Sequence, residues 1–176
     1  VTMIGTEPKI SITANNTSSQ YGLGTNLTAV GYTTSGLVNN ETIGSVTLSS
    51  SGSANTSSVG TYNITASGAA NGTFTASNYN ISYANGTLTV TPANLTIIAN
   101  STATQYGLGT TLGSTAFTPV GLKNGETVGN VTLASSGSAN TTNVGSYNIT
   151  AANATGGSFN SGNYNISYAN GTLTVT

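Results

Sequence analysis

A chain of 176 residues with a formal net charge of −1 carries charge on only 3% of its residues, where an average soluble domain has about 25%. Lys9, Lys123, Glu7, Glu41 and Glu126 are the whole charged set, and Asp, Arg, His, Cys and Trp are missing. Those absences argue against acid–base pairs, Ser-His or thiol nucleophiles, thioesters, zinc or calcium sites and a nucleic-acid interface, so neither an enzyme nor a cofactor is expected.

Residues 1–6 contain the apolar Met3 and Ile4 and read either as the tail of a preceding unit or as an N-terminal strand. Alternation then predicts strands over 9–14, with Ile10 and Ile12 inward, and over 27–32, 43–48 and 59–66, the last with Tyr62 and Ile64 inward. A short strand is expected at Phe74. Gly44 interrupts the alternation and predicts a bulge. The polar run 49–58 is long enough to cross between two sheets. The clearest local signal is Asn85-Gly86, with Tyr79, Ile81 and Tyr83 before it and Leu88 and Val90 after it. It predicts a type I′ hairpin in which Tyr83 faces Leu88 and Ile81 faces Val90, all five apolar side chains sharing one face. About seven strands and no helix signal make an all-β sandwich the expected architecture.

Sliding the sequence on itself by about 85 residues aligns it without a gap at roughly 60% identity, and residues 78–91 recur unchanged as 163–176. That period marks an array of two domains, 7–91 and 92–176, and not a short-period solenoid. Thr91-Pro92 lies at the joint, and Glu7-Pro8 stands at the head of the first copy. A proline there stiffens the junction. Two modules with almost no linker between them are expected to form an elongated rod.

The nine tyrosines support two readings, a sugar-stacking surface or core residues whose hydroxyls reach the edge; the core reading is the simpler. Tyr32 aligns with Phe117, so a hydroxyl is dispensable there. Glu41 and Glu126 occupy equivalent places in 36–42 and 121–127, where a lone carboxylate can accept turn N–H groups. Lys9 and Lys123 raise the idea of Lys–Asn isopeptide links, but they stand opposite Asn94 and Val38, which argues against a crosslink common to both copies. The chain also carries seventeen Asn-x-Ser/Thr sequons, among them Asn26, Asn63, Asn80, Asn85, Asn148, Asn165 and Asn170. Strand alternation yields some of these unaided, as in Asn63-Ile64-Thr65. Asn is nevertheless a poor strand former, so its repetition on the solvent face makes N-glycosylation an open expectation.

Tyr21-Gly22, Gly36-Leu37-Val38-Asn39 with Glu41-Thr42, Val59-Gly60-Thr61-Tyr62-Asn63-Ile64, Asn78-Tyr79 and Leu88-Thr89-Val90-Thr91-Pro92 follow one another in an order that resembles the MBG-type repeats of bacterial surface proteins and adhesins. The second copy matches likewise. The resemblance implies tandem extracellular modules of Ig-like or β-grasp-related type, with no catalytic residues to carry over. Members are usually richer in Asp and Lys and poorer in sequons than this chain.

Composition and resemblance together lead to a stalk or spacer repeat of a secreted or cell-surface fibrillar adhesin, holding a binding region away from the cell. Its expected partners are neighbouring repeats of the same protein and attached glycans. Two other functions stay open. One is a filament subunit that self-assembles into fibres by donating residues 1–6 as a strand; the other is a carbohydrate-binding module. No run of 18 or more apolar residues suggests a membrane span. Val1 opens no signal-peptide pattern, which suggests a mature fragment.

Overall fold

The computed structural model describes residues 6–176; the strand expected within residues 1–6 therefore lies almost wholly outside the described residues. The chain divides into two compact units between Thr91 and Pro92, and each is a small all-β sandwich.

In the first module the strands are β1 Lys9–Ala14, β2 Thr17–Gln20, β3 Tyr32–Ser35, β4 Ile43–Ser49, β5 Gly60–Gly72, β6 Asn80–Ala84 and β7 Gly86–Thr91. One sheet has the order β3-β1-β6 and the other β2-β7-β5-β4. In the second module β8 Ala93–Ala99, β9 Thr102–Thr104, β10 Phe117–Val120, β11 Val128–Ala134, β12 Gly145–Gly157, β13 Tyr164–Ala169 and β14 Gly171–Val175 repeat the pattern, as sheets β10-β8-β13 and β11-β12-β14-β9. Both sheets of each module are mixed. β1 pairs antiparallel with β3 but parallel with β6, while β7 pairs antiparallel with β5 but parallel with β2.

The core lies between the sheets and follows the two-residue period. Ile10, Ile12 and Ala14 project into it from β1, Ile64 and Ala66 from β5, and Leu88 and Val90 from β7. In the second module Leu95 and Ile97, Ile149, Leu173 and Val175 do the same. The outward positions carry Ser, Thr and Asn, which keep the solvent faces hydrated without charge.

The Asn85-Gly86 hairpin does not form. β6 and β7 belong to different sheets, and Asn85 is where the chain steps from one to the other. Neither Asn85 nor Gly86 has the left-handed φ that a type I′ turn demands of both. Gly86 meets a different need. A Cβ built on it would fall 2.6 Å from the carbonyl oxygen of Asn15 and closer still to that of Ala14, so only a glycine lets the two crossing segments touch. The step is double, because β1 passes into β2 at Asn15 and Asn16 alongside β6 passing into β7. The register is unbroken across it, with Thr13 opposite Ala84 before the step and Thr17 opposite Leu88 after it. The Thr87 N–H donates to Asn16 Oδ1 at 2.8 Å in the gap, and Asn170-Gly171 repeats the arrangement, with Thr172 N–H donating to Ser101 Oγ at 2.9 Å. Tyr83, expected inward, is consequently 41% exposed, and Tyr168 39%.

Other expectations change in smaller ways. Residues 27–30 form a one-turn helix, α1 Leu27–Val30, not the start of a strand, because Asn26 caps it by accepting from Thr28 N at 3.2 Å. Thr111 and Gly113 replace Asn26 and Thr28 in the second copy, and no helix forms there. Phe74 lies outside any strand and instead packs its ring 6.4 Å from that of Tyr79. The run 49–58 stays within one sheet, since β4 and β5 on either side of it are antiparallel neighbours. The bulge is present beyond Gly44, between Ser45 and Thr47, and its extra residue is on β5. Gly68 there has φ +60°, and Asn153 takes the same role on β12 with φ 52°.

Candidate functional site

Three features project polar or aromatic chemistry outward from this scaffold. The first is the loop between β3 and β4. Its Glu41 does not collect turn N–H groups, as the sequence suggests. Its carboxylate accepts a short hydrogen bond from the hydroxyl of Tyr79, and that hydroxyl accepts in turn from Val38 N–H at 3.3 Å. Glu126, Tyr164 and Lys123 N–H repeat the set, the last contact at 2.9 Å. The loop is thereby tied to the segment entering β6. The Glu41 hydrogen bond is the main cause that raises the Tyr79 phenol above its ordinary value, with desolvation adding to it. A raised phenol favours the fold below the ordinary tyrosine range, near pH 10, and that contribution is lost as pH climbs through the raised value. Tyr79→Phe is therefore expected to flatten the loss of first-module stability above about pH 10, and to remove one late-titrating phenol from the tyrosinate absorbance. Loss of that phenol from the ordinary tyrosine range near pH 10, and not from the late part of the curve, would show that the contact does not hold the proton.

The second feature is a shallow, open groove on the β4–β5 face, about 400 Å³ in volume and lined by Ser49, Ser50, Ser51, Thr61, Tyr62, Asn63 and Thr65. The second module has its counterpart of about 500 Å³ around Tyr147 and Asn148. The Tyr62 hydroxyl donates to Ser58 carbonyl oxygen at 2.7 Å, and Gly52 lies against the ring, where a side chain would collide. The groove thus offers hydroxyls, an amide and part of one aromatic ring. The tyrosines as a set divide: Tyr21, Tyr79 and Tyr164 are buried, Tyr32, Tyr62 and Tyr147 half-buried, and Tyr83, Tyr106 and Tyr168 exposed. The Tyr83 hydroxyl accepts from Ala69 N–H at 3.0 Å and that of Tyr168 from Ala154 N–H at 3.0 Å. Tyr32 donates to Ile43 carbonyl oxygen at 3.0 Å, a bond that Phe117 forgoes.

All seven named sequon asparagines are exposed. Asn63 and Asn148 project from β5 and β12 into the grooves, Asn80 and Asn165 begin or follow the start of β6 and β13, Asn85 and Asn170 mark the steps between sheets, and Asn26 caps α1. The spacing from Asn to the Ser or Thr of each sequon is two residues, which in a strand returns both side chains to the same outward face. Among the described residues no group of three His, Cys, Asp or Glu could hold a metal ion, and no helix is long and apolar enough to cross a membrane.

The third feature was not singled out by composition or periodicity. Gln20-Tyr21-Gly22-Leu23 is a β-turn closed by Leu23 N–H to Gln20 carbonyl oxygen at 3.1 Å, with Gly22 at φ +88° in the position where a type II turn requires glycine. Gln105-Tyr106-Gly107-Leu108 repeats it, with Gly107 at φ +90°. The turn closes the C-terminal end of each module: Tyr21 N–H donates to Thr91 carbonyl oxygen, and Tyr106 N–H to that of Thr176, both at 2.8 Å. Tyr21-Gly22-Leu23 and Tyr106-Gly107-Leu108 each read Tyr-Gly-x. The family model of the MBG domain, YGX type, matches residues 10–89 and again residues 95–174. The chain belongs to the MBG domain family. It is a tandem pair of these domains, and the resemblance carried by its sequence motifs holds for both copies. The family places the MBG pair among the repeats of surface proteins. No curated protein and no solved structure matches it.

Proposed function

We propose that this MBG pair is a non-enzymatic spacer of a secreted or cell-surface fibrillar adhesin, holding a binding region away from the cell. The observation that carries the reading is internal to each module. The chain enters at Lys9, beside Asn80, and leaves at Thr91, beside Gln20. Because the two segments run parallel, the way in and the way out lie at opposite ends of the sandwich. Only Pro92 separates β7 from β8. A module threaded end to end adds its length to the chain, whereas one whose termini sit together adds little.

The surface suits that role. Exposed Ser, Thr and Asn resist non-specific association without a charge field, and two lysines leave little for a trypsin-like protease to cut. Asn63, Asn80 and their counterparts place acceptor amides outward, so that attached glycans would cover the faces of the sheets. Small-angle scattering of the pair is the test. A maximum dimension close to the summed lengths of two modules is expected, and a compact particle would refute the spacer.

A further inference from the structure

The two segments that carry the chain into and out of each module are also each other's neighbours, and this has a mechanical meaning. In the first module Lys9–Ala14 and Asn80–Ala84 share five registered pairs, Lys9 with Asn80 through Thr13 with Ala84. Beyond the step, Thr17–Gln20 and Gly86–Thr91 share four more, Thr17 with Leu88 through Gln20 with Thr91. Bonds outside these ladders close the ends and the gap. Asn80 N–H donates to Pro8 carbonyl oxygen at 2.9 Å, Tyr21 N–H to Thr91 carbonyl oxygen at 2.8 Å and Thr87 N–H to Asn16 Oδ1 at 2.8 Å. The second module has six pairs in one sheet and three in the other.

We propose that this pair of parallel ribbons is a mechanical clamp, so that each MBG module bears tension along the chain without opening. Pulling on the two ends draws the first ribbon backward by its start and the second forward by its finish. The ribbons must then slide past one another, and every rung between them is strained at once. Peeling from one end would break the rungs singly. The step between sheets adds to the resistance: Gly86 is packed against the carbonyls of Ala14 and Asn15, so sliding forces bulkier residues into a gap that admits only glycine. The rungs on both sides belong to sheets whose inner faces hold Ile10, Ile12, Leu88 and Val90, so sliding the ribbons also drags core side chains out of their packing. The clamp gives the spacer reading a purpose, but it stands on register alone.

Single-molecule force spectroscopy decides it, since forced opening reports the unfolding barrier along the pulled direction. The whole chain is tethered first through its two ends, and then through the pair Glu7→Cys and Asn78→Cys, which are unique thiols in a protein without cysteine. The second geometry grips β1 and β6 at the same end and peels them apart. Rupture of the first module is expected at severalfold higher force in the end-to-end geometry. Equal forces in the two geometries overturn the clamp and leave the spacer intact. A compact particle in scattering with unequal forces does the reverse.

Discussion

Alanine at Gly86 is expected to cost the first module about 3 kcal/mol or more, at or beyond the upper end of ordinary overpacking. The clash is with main chain, the carbonyl oxygens of Ala14 and Asn15, and main chain cannot rotate aside as a side chain can. Relief requires the two ribbons to separate at their step, which loosens Thr87 from Asn16 and pulls Leu88 and Val90 out of register with Tyr62 and Gly60. The second module supplies an internal control in the same molecule. Hydrogen exchange resolved by peptide should show lost protection in β1, β2, β6 and β7 and none lost in β8 to β14. Gly171→Ala should give the mirror image, since a Cβ there meets Ala99 in the same manner. Wild-type protection in Gly86→Ala would mean that the crossing is not tight.

Leu88→Ala is expected to destabilise the first module by about 2–5 kcal/mol, through lost transfer energy and the cavity left behind. Leu88 is fully buried and central in its sheet, with Thr17 on one side in register and Tyr62 on the other. A domain of this size holds a total of about 5–15 kcal/mol, so this one truncation removes a large share. Urea unfolding of the pair should resolve into two transitions, the first moved to lower denaturant and the second unmoved. Leu173→Ala should exchange them, and the double variant should be additive, since each leucine is buried in the core of its own unit. A shift below about 1 kcal/mol would show that the site collapses around the smaller side chain.

These two positions also show what was legible in the sequence. The inward set of β1, β5 and β7 follows from alternation alone, because Ile10, Ile12, Ile64, Leu88 and Val90 are buried in any arrangement that gives each strand one wet face. The partner of each strand is a separate matter. Ile81 and Val90 lie on inward faces whether residues 79–91 fold back as a hairpin or step between sheets, so the alternation cannot distinguish the two. What decides between them is the close approach of Ala14 and Asn15 to Gly86, contacts 72 and 71 residues distant in sequence. β2 was invisible for a different reason: Thr17-Ser18-Ser19-Gln20 has no apolar residue, and it is a strand only because β7 supplies a parallel neighbour. The Glu41–Tyr79 contact was likewise hidden. Each residue was conspicuous separately, but their meeting depends on the loop before β4 folding over the start of β6. The Tyr-Gly turn could have been read from the repetition of Gln-Tyr-Gly-Leu-Gly in both copies, where a glycine fixed after an aromatic marks a left-handed turn residue.

The parallel pairing of first and last ribbons also governs how the chain acquires its structure. Neither half of the pair has its neighbour until the whole module has been made, so a nascent module stays open until Thr91 is free, and loop closure across 71 residues makes that step slow. By then the next copy is following, and its closing segment, residues 163–176, has the same sequence as residues 78–91. Either segment fits β1 and β2 equally well on local grounds. Correct assembly therefore depends on order of emergence, the nearer ribbon arriving first. Refolding the denatured pair all at once removes that order and exposes it to strand exchange between copies, the characteristic error of near-identical neighbours.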